Sequence, residues 1–163
     1  MQSLSFQLNE PWFTHLSADL QDLAKTSILL YDYILEHQGK LPDYSFVVFS
    51  MSKAYEGFLK SYLFKKGLID KKTYEGHRFR IGRALNPDLR NFYRDEQWLY
   101  DDLATTCGQD TAREIWEVWL KCRNRVFHFF PGENKMLTLE QAGEHLNLMI
   151  NIFNKVMPCL QEK

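Results

Sequence analysis

The sequence predicts an all-α protein, an antiparallel helical bundle with about four long helices and several short ones between them. Two observations lead there. Apolar residues recur at three- and four-residue spacing through most of the chain, and caps or Gly/Pro stops bracket those segments. There is no internal repeat, low-complexity tract or long linker, and 163 residues are enough for one domain with a normal core. With 45% hydrophobic and 15% aromatic residues, disorder is not expected.

Residues 1–16 contain Pro11 and Trp12 and show no helical period, so they read as an extended N-terminal arm with a short strand over Ser3 to Leu8. The helical domain is then 17–163. Its first helix starts behind the cap Ser17, carries the stripe Leu20, Leu23, Ser27, Leu30 and Ile34, and runs to His37 with Gly39 as its stop. Asp43, after Pro42, caps a second long helix that reaches Lys66 before Gly67. Tyr74 to Leu85 reads as a short basic helix ended by Asn86-Pro87, and Gln97 to Thr105 as another ended by Gly108. Thr111 and Glu114 are spaced as a capping box for a third long helix beginning near Asp110. Thr138 and Gln141 repeat that spacing before the last helix, Leu139 to Met157, which Pro158 is expected to stop. Leu146, Met149, Ile150, Phe153 and Met157 form its inward face.

The net charge of −1 says little, but its distribution says more. Between Lys60 and Arg94 ten lysines and arginines face three acids, half of the chain's 20 basic residues. Gathered on one face, such an excess attracts a phosphate backbone; spread over a solvated helix and loop, it binds nothing, and the sequence leaves both open. Lys60, Lys71, Lys72, Arg78, Arg80 and Arg83 are the candidate RNA contacts. Cys107, Cys122 and Cys159 are an odd set without Cys-x-x-Cys spacing, which suggests free thiols in a reducing compartment. Met1 to Glu10 has no basic-then-apolar signal and no window is long enough to span a membrane, so a cytoplasmic protein is expected. His15, His37, His77, His128 and His145 are scattered, and Gly76 and Gly82 lack the spacing of a phosphate loop. Neither a metal nor a cofactor is expected. His145, beside Glu144, reads as a surface or boundary residue.

The chemistry concentrates in Lys121-Cys-Arg-Asn-Arg-Val-Phe-His-Phe-Phe130, closed by Pro131-Gly132. On a helical wheel Arg123 lies within about 40° of Ala112, Trp116, Trp119, Phe127 and Phe130. It is therefore expected in the middle of the apolar stripe, with Glu117, Lys121, Asn124 and His128 on a polar stripe beside it. A guanidinium there needs an acidic partner or an anionic ligand. The second helix offers Glu56, flanked by Phe49, Leu59, Lys60 and Leu63, and Gly57 next to it suggests a closely packed helix. Glu56 is thus expected on Arg123; the alternative is an ordinary i,i+4 pair with Lys60 on a wet face. Trp116, Trp119, Phe127 and Phe130 read as core or dimer interface.

Arg123-x4-His128, with Asn124 directly after the arginine and a Pro-Gly stop, resembles the HEPN superfamily (higher eukaryotes and prokaryotes nucleotide-binding). These are all-helical domains and often metal-independent ribonucleases. Lys53-x-x-Glu56, followed 67 residues later by Arg123-x4-His128, is similar to the HEPN domain of RNase LS-type toxins, whose motif reads Arg-x-x-Glu and then Arg-x4-His. The likeness runs from about Ser17 onward. Lys53 departs from it, replacing a bidentate donor by a point charge. Phe130 stands where one group of relatives carries a tyrosine that a nucleotidyltransferase modifies, so that antidote would find no acceptor here.

The resemblance implies a HEPN-type bundle, a homodimer formed through the motif helices, an RNA substrate, and a catalytic set of Arg123, His128, Glu56, Asn124 and Lys53. His128 would move the proton of the 2′-hydroxyl or of the leaving 5′-oxygen. Arg123 would stabilise charge on the phosphate, held by Glu56, with Asn124 and Lys53 assisting. The implied setting is a bacterial toxin–antitoxin or phage-defence system with a cognate antitoxin protein. Two other readings stay open: an inactive HEPN-like module that binds nucleotide, RNA or a protein partner, which Lys53 favours, and a plain helical dimerisation domain.

Overall fold

The computed structural model describes residues 2–37, 40–129, 131–132 and 136–161, and of 158–161 the backbone. Among these residues all regular structure is helical. Three long helices are α2 (Ala18–His37), α3 (Ser45–Lys65) and α9 (Leu139–Gln161). The fourth is the motif helix: α7 (Gln109–Trp119), a π-helical turn over Leu120–Asn124, and the short α8 (Arg125–Phe127). Between them lie α1 (Pro11–Thr14), α4 (Lys71–Glu75), α5 (Ile81–Ala84) and α6 (Tyr100–Cys107).

Residue pairing gives the helix directions. Leu20 meets Gly57, and Ser27 Oγ accepts the Met51 N–H at 2.8 Å, so α2 and α3 are antiparallel. Tyr55 donates its hydroxyl to the Ile115 carbonyl at 3.0 Å and Ser52 to that of Cys122 at 2.9 Å, which sets the motif helix antiparallel to α3. Glu114 pairs with Lys155 while the Lys121 charge acts on His145, so α9 runs back along the motif helix. The four long segments alternate in direction, although the connection from α3 to α7 is long and carries α4, α5 and α6. Trp12, Tyr55, Phe58 and Phe153 form the aromatic centre, with Phe58 edge-on to Phe153 at 5.0 Å.

The N-terminal residues do not form an extended arm. Ser5–Asn9 is a 3-10 helix, Pro11–Thr14 is α-helical, and Leu4, Trp12 and Leu16 are buried in the common core. Tertiary contacts supply what the segment's own period lacks. Asp32 on α2 accepts the Leu4 N–H at 2.8 Å and the Ser5 N–H at 2.9 Å, together with the Ser3 and Ser5 hydroxyls. Trp12 stacks on Phe153 at 5.1 Å, and Pro11 opens α1 at its first turn, where its missing N–H costs nothing.

The other boundaries shift for local reasons. The innermost stripe of α2 is Ala24, Ser27, Ile28 and Tyr31, with Leu20, Leu23 and Leu30 on its flanks. The expected basic helix over 74–85 is two pieces, α4 capped by Asp70 on the Thr73 N–H at 2.7 Å, and α5, separated by extended backbone at Gly76. Thr138 and Gln141 do form a reciprocal capping box, at 3.0 and 3.2 Å. Thr111 and Glu114 do not: α7 begins behind Gly108 (φ 88°), and Glu114 reaches across to Lys155. Helix α9 continues past Pro158 to Gln161, because a proline so near a helix end removes one backbone bond from a turn already short of partners. Asp43 Oδ1 accepts from the Ser45 N–H at 3.1 Å and the Leu137 N–H at 2.9 Å, tying the start of α3 to that of α9. Gly39 and Phe130 lie outside the described residues. Among the described residues no helix is long and apolar enough to cross a membrane.

Candidate functional site

Helix α7 buries Ala112, Ile115, Trp116, Val118 and Trp119, and the π turn adds Cys122. That stripe is centred on Ile115 and Cys122, which places Arg123 at its edge and not in its middle. The π turn closes with the Arg125 N–H on the Leu120 carbonyl, one residue more than an α-turn holds. Everything beyond it is re-aimed by roughly one residue's rotation, about 100°, so a single wheel does not carry from Trp116 to Phe127. His128 follows with extended backbone (φ −111°, ψ 130°), and its direction is set by the helix end. The turn is docked by Ser52, buried on α3, whose hydroxyl is shared between the Val48 and Cys122 carbonyls. Burial pushes the Cys122 thiol up to about 12, with the Lys121 charge opposing, so it is no nucleophile.

On this platform Arg123 Nε lies 3.3 Å from Glu56 Oε2, and the two side chains are 33% and 35% exposed. The expected pair forms, but in an open cleft and not on a buried face. The guanidinium also sits over the Trp119 ring at 5.5 Å. Lys60 donates to the Gly76 carbonyl at 3.0 Å and leaves Glu56 to Arg123. Gly57 does not mark the motif helix: a methyl there would stand 2.6 Å from Leu20 Cδ2, so the close approach is with α2.

Lys53, Glu56, Arg123 and His128 line one cleft of about 540 Å³ together with Phe49, Ser52 and Phe127. Phe49 and Phe127 meet edge to face at 5.4 Å, and Lys53 Nζ lies 5.9 Å over the Phe49 ring. A second cleft of about 380 Å³ shares Glu56, Arg123 and His128 and is lined further by Asn124, Arg80 and Arg83, with Trp116 and Trp119 in its wall. The four residues of the expected catalytic set other than Asn124 thus share the first cleft, and Asn124 faces the second.

The basic run divides. Arg80 and Arg83 line the second cleft, and Arg78 joins them around a small hollow by Phe79 and Gln97. Lys71 pairs with Glu75 at 3.7 Å on the exposed α4, which also carries Lys72, and neither lysine lines either cleft. Arg83 is already forked onto Asp95, at 3.1 and 2.7 Å.

His145 is not a surface residue. It is buried on α9, its Nδ1 has no hydrogen-bond partner among the described residues, and burial, helped by the Lys121 charge, lowers its pKa to about 4. Ser52 and Tyr55 are the positioning residues that sequence reasoning passed over. Their signal was a hydroxyl on the apolar face of α3, where it must find a carbonyl. Among the described residues no three of His, Cys, Asp and Glu gather as metal ligands.

No protein-family model, curated protein or solved structure matches the chain. The functional reading therefore rests on the clefts themselves.

Proposed function

We propose that the protein is a metal-independent endoribonuclease of HEPN type, working as a homodimer and serving as the toxin of a toxin–antitoxin or phage-defence system, held in check by a cognate antitoxin. The observation that carries this reading is the convergence of Lys53, Glu56, Arg123 and His128 in one open cleft, from helices far apart in sequence. A guanidinium steadied by a carboxylate, with an imidazole beside it, suits a phosphodiester: the cation stabilises charge that develops on the phosphoryl oxygens. The imidazole moves protons.

In this mechanism His128 of one copy takes the 2′-hydroxyl proton as O2′ attacks phosphorus. The P–O5′ bond breaks, and His128 of the second copy protonates the departing 5′-oxygen. Arg123 holds the pentacoordinate phosphate, Glu56 holds Arg123, and Lys53 and Asn124 contact the flanking phosphate and sugar. One imidazole cannot readily serve as base and acid in a single step, so two copies complete the site. Phe49 lines the first cleft and is exposed, as are Phe46 one turn before it on α3 and Phe129 directly after His128, apolar surface that a second copy would cover. The alternative, a binding module without activity, draws on Lys53, whose single ammonium over Phe49 replaces a forked donor.

Arg123→Ala and His128→Ala are each expected to lose RNA cleavage while remaining folded. Refolded with the parent, His128→Ala should silence more than its own share of chains, since a mixed dimer keeps only one of the two imidazoles that the shared centre needs. Cleavage by either variant alone at the parent rate refutes the assignment.

A further inference from the structure

We infer that the second cleft and the loop beyond it form a track for single-stranded RNA, in which Phe92 and Tyr93 stack the bases next to the Arg123–His128 site. The loop between α5 and α6 is pinned rather than slack. Arg83 forks onto Asp95 and donates to the Tyr93 carbonyl at 2.9 Å. Arg94 donates to the Leu89 carbonyl at 2.8 Å and to that of Pro87 at 3.0 Å, and lies 4.0 Å over the Trp98 ring. Trp98 in turn donates its indole N–H to the Asn86 carbonyl at 2.8 Å.

All of this bonding holds up a 3-10 turn, Asn91–Tyr93, whose side chains it does not bury. Phe92 is 90% exposed and Tyr93 55%, set edge to face at 5.3 Å. A large ring held out in water by a well-bonded loop is spare stacking surface.

The position of the tip gives it a ligand. Asn86 and Leu89 of the same loop line the second cleft, and Arg83, bonded to the Tyr93 carbonyl, lines it too. Phe92 is three residues on from Leu89, a reach of at most about 10 Å. The second cleft, walled by Arg123, His128 and Arg80, thus borders the loop that carries the two exposed rings, on which Arg90 is exposed as well, while Arg83 holds that loop in place through Asp95 and the Tyr93 carbonyl. Cations along a groove with aromatic faces at its end suit a single strand, whose phosphates follow the cations while unpaired bases stack. A duplex keeps its base faces covered and gains nothing from the rings. This track rests on the ribonuclease reading for its register, because the scissile phosphate is placed at Arg123 and His128, but its binding is measurable without catalysis.

The probe is a single-stranded 2′-O-methyl oligonucleotide, which lacks the 2′-hydroxyl that attack requires, titrated against the parent and Phe92→Ala/Tyr93→Ala. Both rings are exposed, so the double variant should melt with the parent. Its affinity for the single strand should fall roughly tenfold or more, while weak binding of the matching duplex stays unchanged. Equal binding of the single strand by parent and variant overturns the track, and leaves the ribonuclease reading standing if the parent cleaves RNA. Loop-dependent binding by a parent that cleaves nothing upholds the track and removes the ribonuclease reading. No binding of the single strand by the parent overturns the track.

Discussion

Asp32 and Glu56 are carboxylates on neighbouring antiparallel helices, and they are used in opposite ways. Asp32 is buried, and its two oxygens accept two backbone N–H groups and two serine hydroxyls. Burial opposes its charge, yet those hydrogen bonds, led by Ser5, hold the carboxyl below its ordinary range. Glu56 has one guanidinium at 3.3 Å, and a third of its surface is open. The closed cluster commits its acid to folding the N-terminal segment. The open pair keeps guanidinium N–H groups and carboxylate lone pairs available to a ligand, at little gain in stability. Polar groups of the same kind thus separate into scaffold and site by how completely the protein itself satisfies them.

The largest effect should come from the closed side. Asp32→Ala strands two backbone N–H groups and releases the segment carrying Leu4 and Trp12, and is expected to lose about 3 kcal/mol of stability. A urea melt that overlays the parent would show that the cluster holds nothing.

A second, smaller effect comes from pH. His145 is neutral in the fold, with a pKa of about 4 against an ordinary 6.5, so the unfolded chain binds a proton that the folded chain refuses. Stability should therefore be full above 6.5 and fall as pH drops through the window to about 4, by an amount on the order of 2 kcal/mol. His145→Leu should flatten that slope. Asp32, with a lowered carboxyl pKa, should add its own loss only at still lower pH.

The smallest effect on stability, and the one that sharpens the contrast, belongs to the open pair. Glu56→Ala should cost about 1 kcal/mol or less, because an ion pair in water-filled space is screened. RNA cleavage should nonetheless drop, since Arg123 loses its orientation. A Glu56→Ala protein that melts as early as Asp32→Ala would erase the distinction between the two carboxylates.

Much of this architecture was legible in the chain. The four long helices follow from their stripes, and the Thr138–Gln141 box and the Glu56–Arg123 pair form as spacing and charge require. What was not legible depends on contacts distant in sequence. Residues 5–9 and 11–14 are helical because Asp32 and Phe153 receive them, and no local period announces that. The π turn has no residue code of its own. It is a register adopted where Ser52 and Tyr55 dock the motif helix, and it moved Phe127 off the wheel that assumed a straight helix, whereas Arg123 lies at the edge because Ile115, Val118 and Cys122 centre the buried stripe away from it. The division of the basic run likewise follows from Asp95, which occupies Arg83 across a loop that charge counting treats as uniform.

The most direct test of the central claim is the end chemistry of RNA incubated with purified parent and with His128→Ala in excess EDTA. The account expects the parent to leave 2′,3′-cyclic phosphate and 5′-hydroxyl ends, because O2′ is the nucleophile and no metal takes part, and it expects the folded His128→Ala protein to leave the RNA intact. Equal cutting by parent and His128→Ala, or cutting that EDTA abolishes, would contradict it.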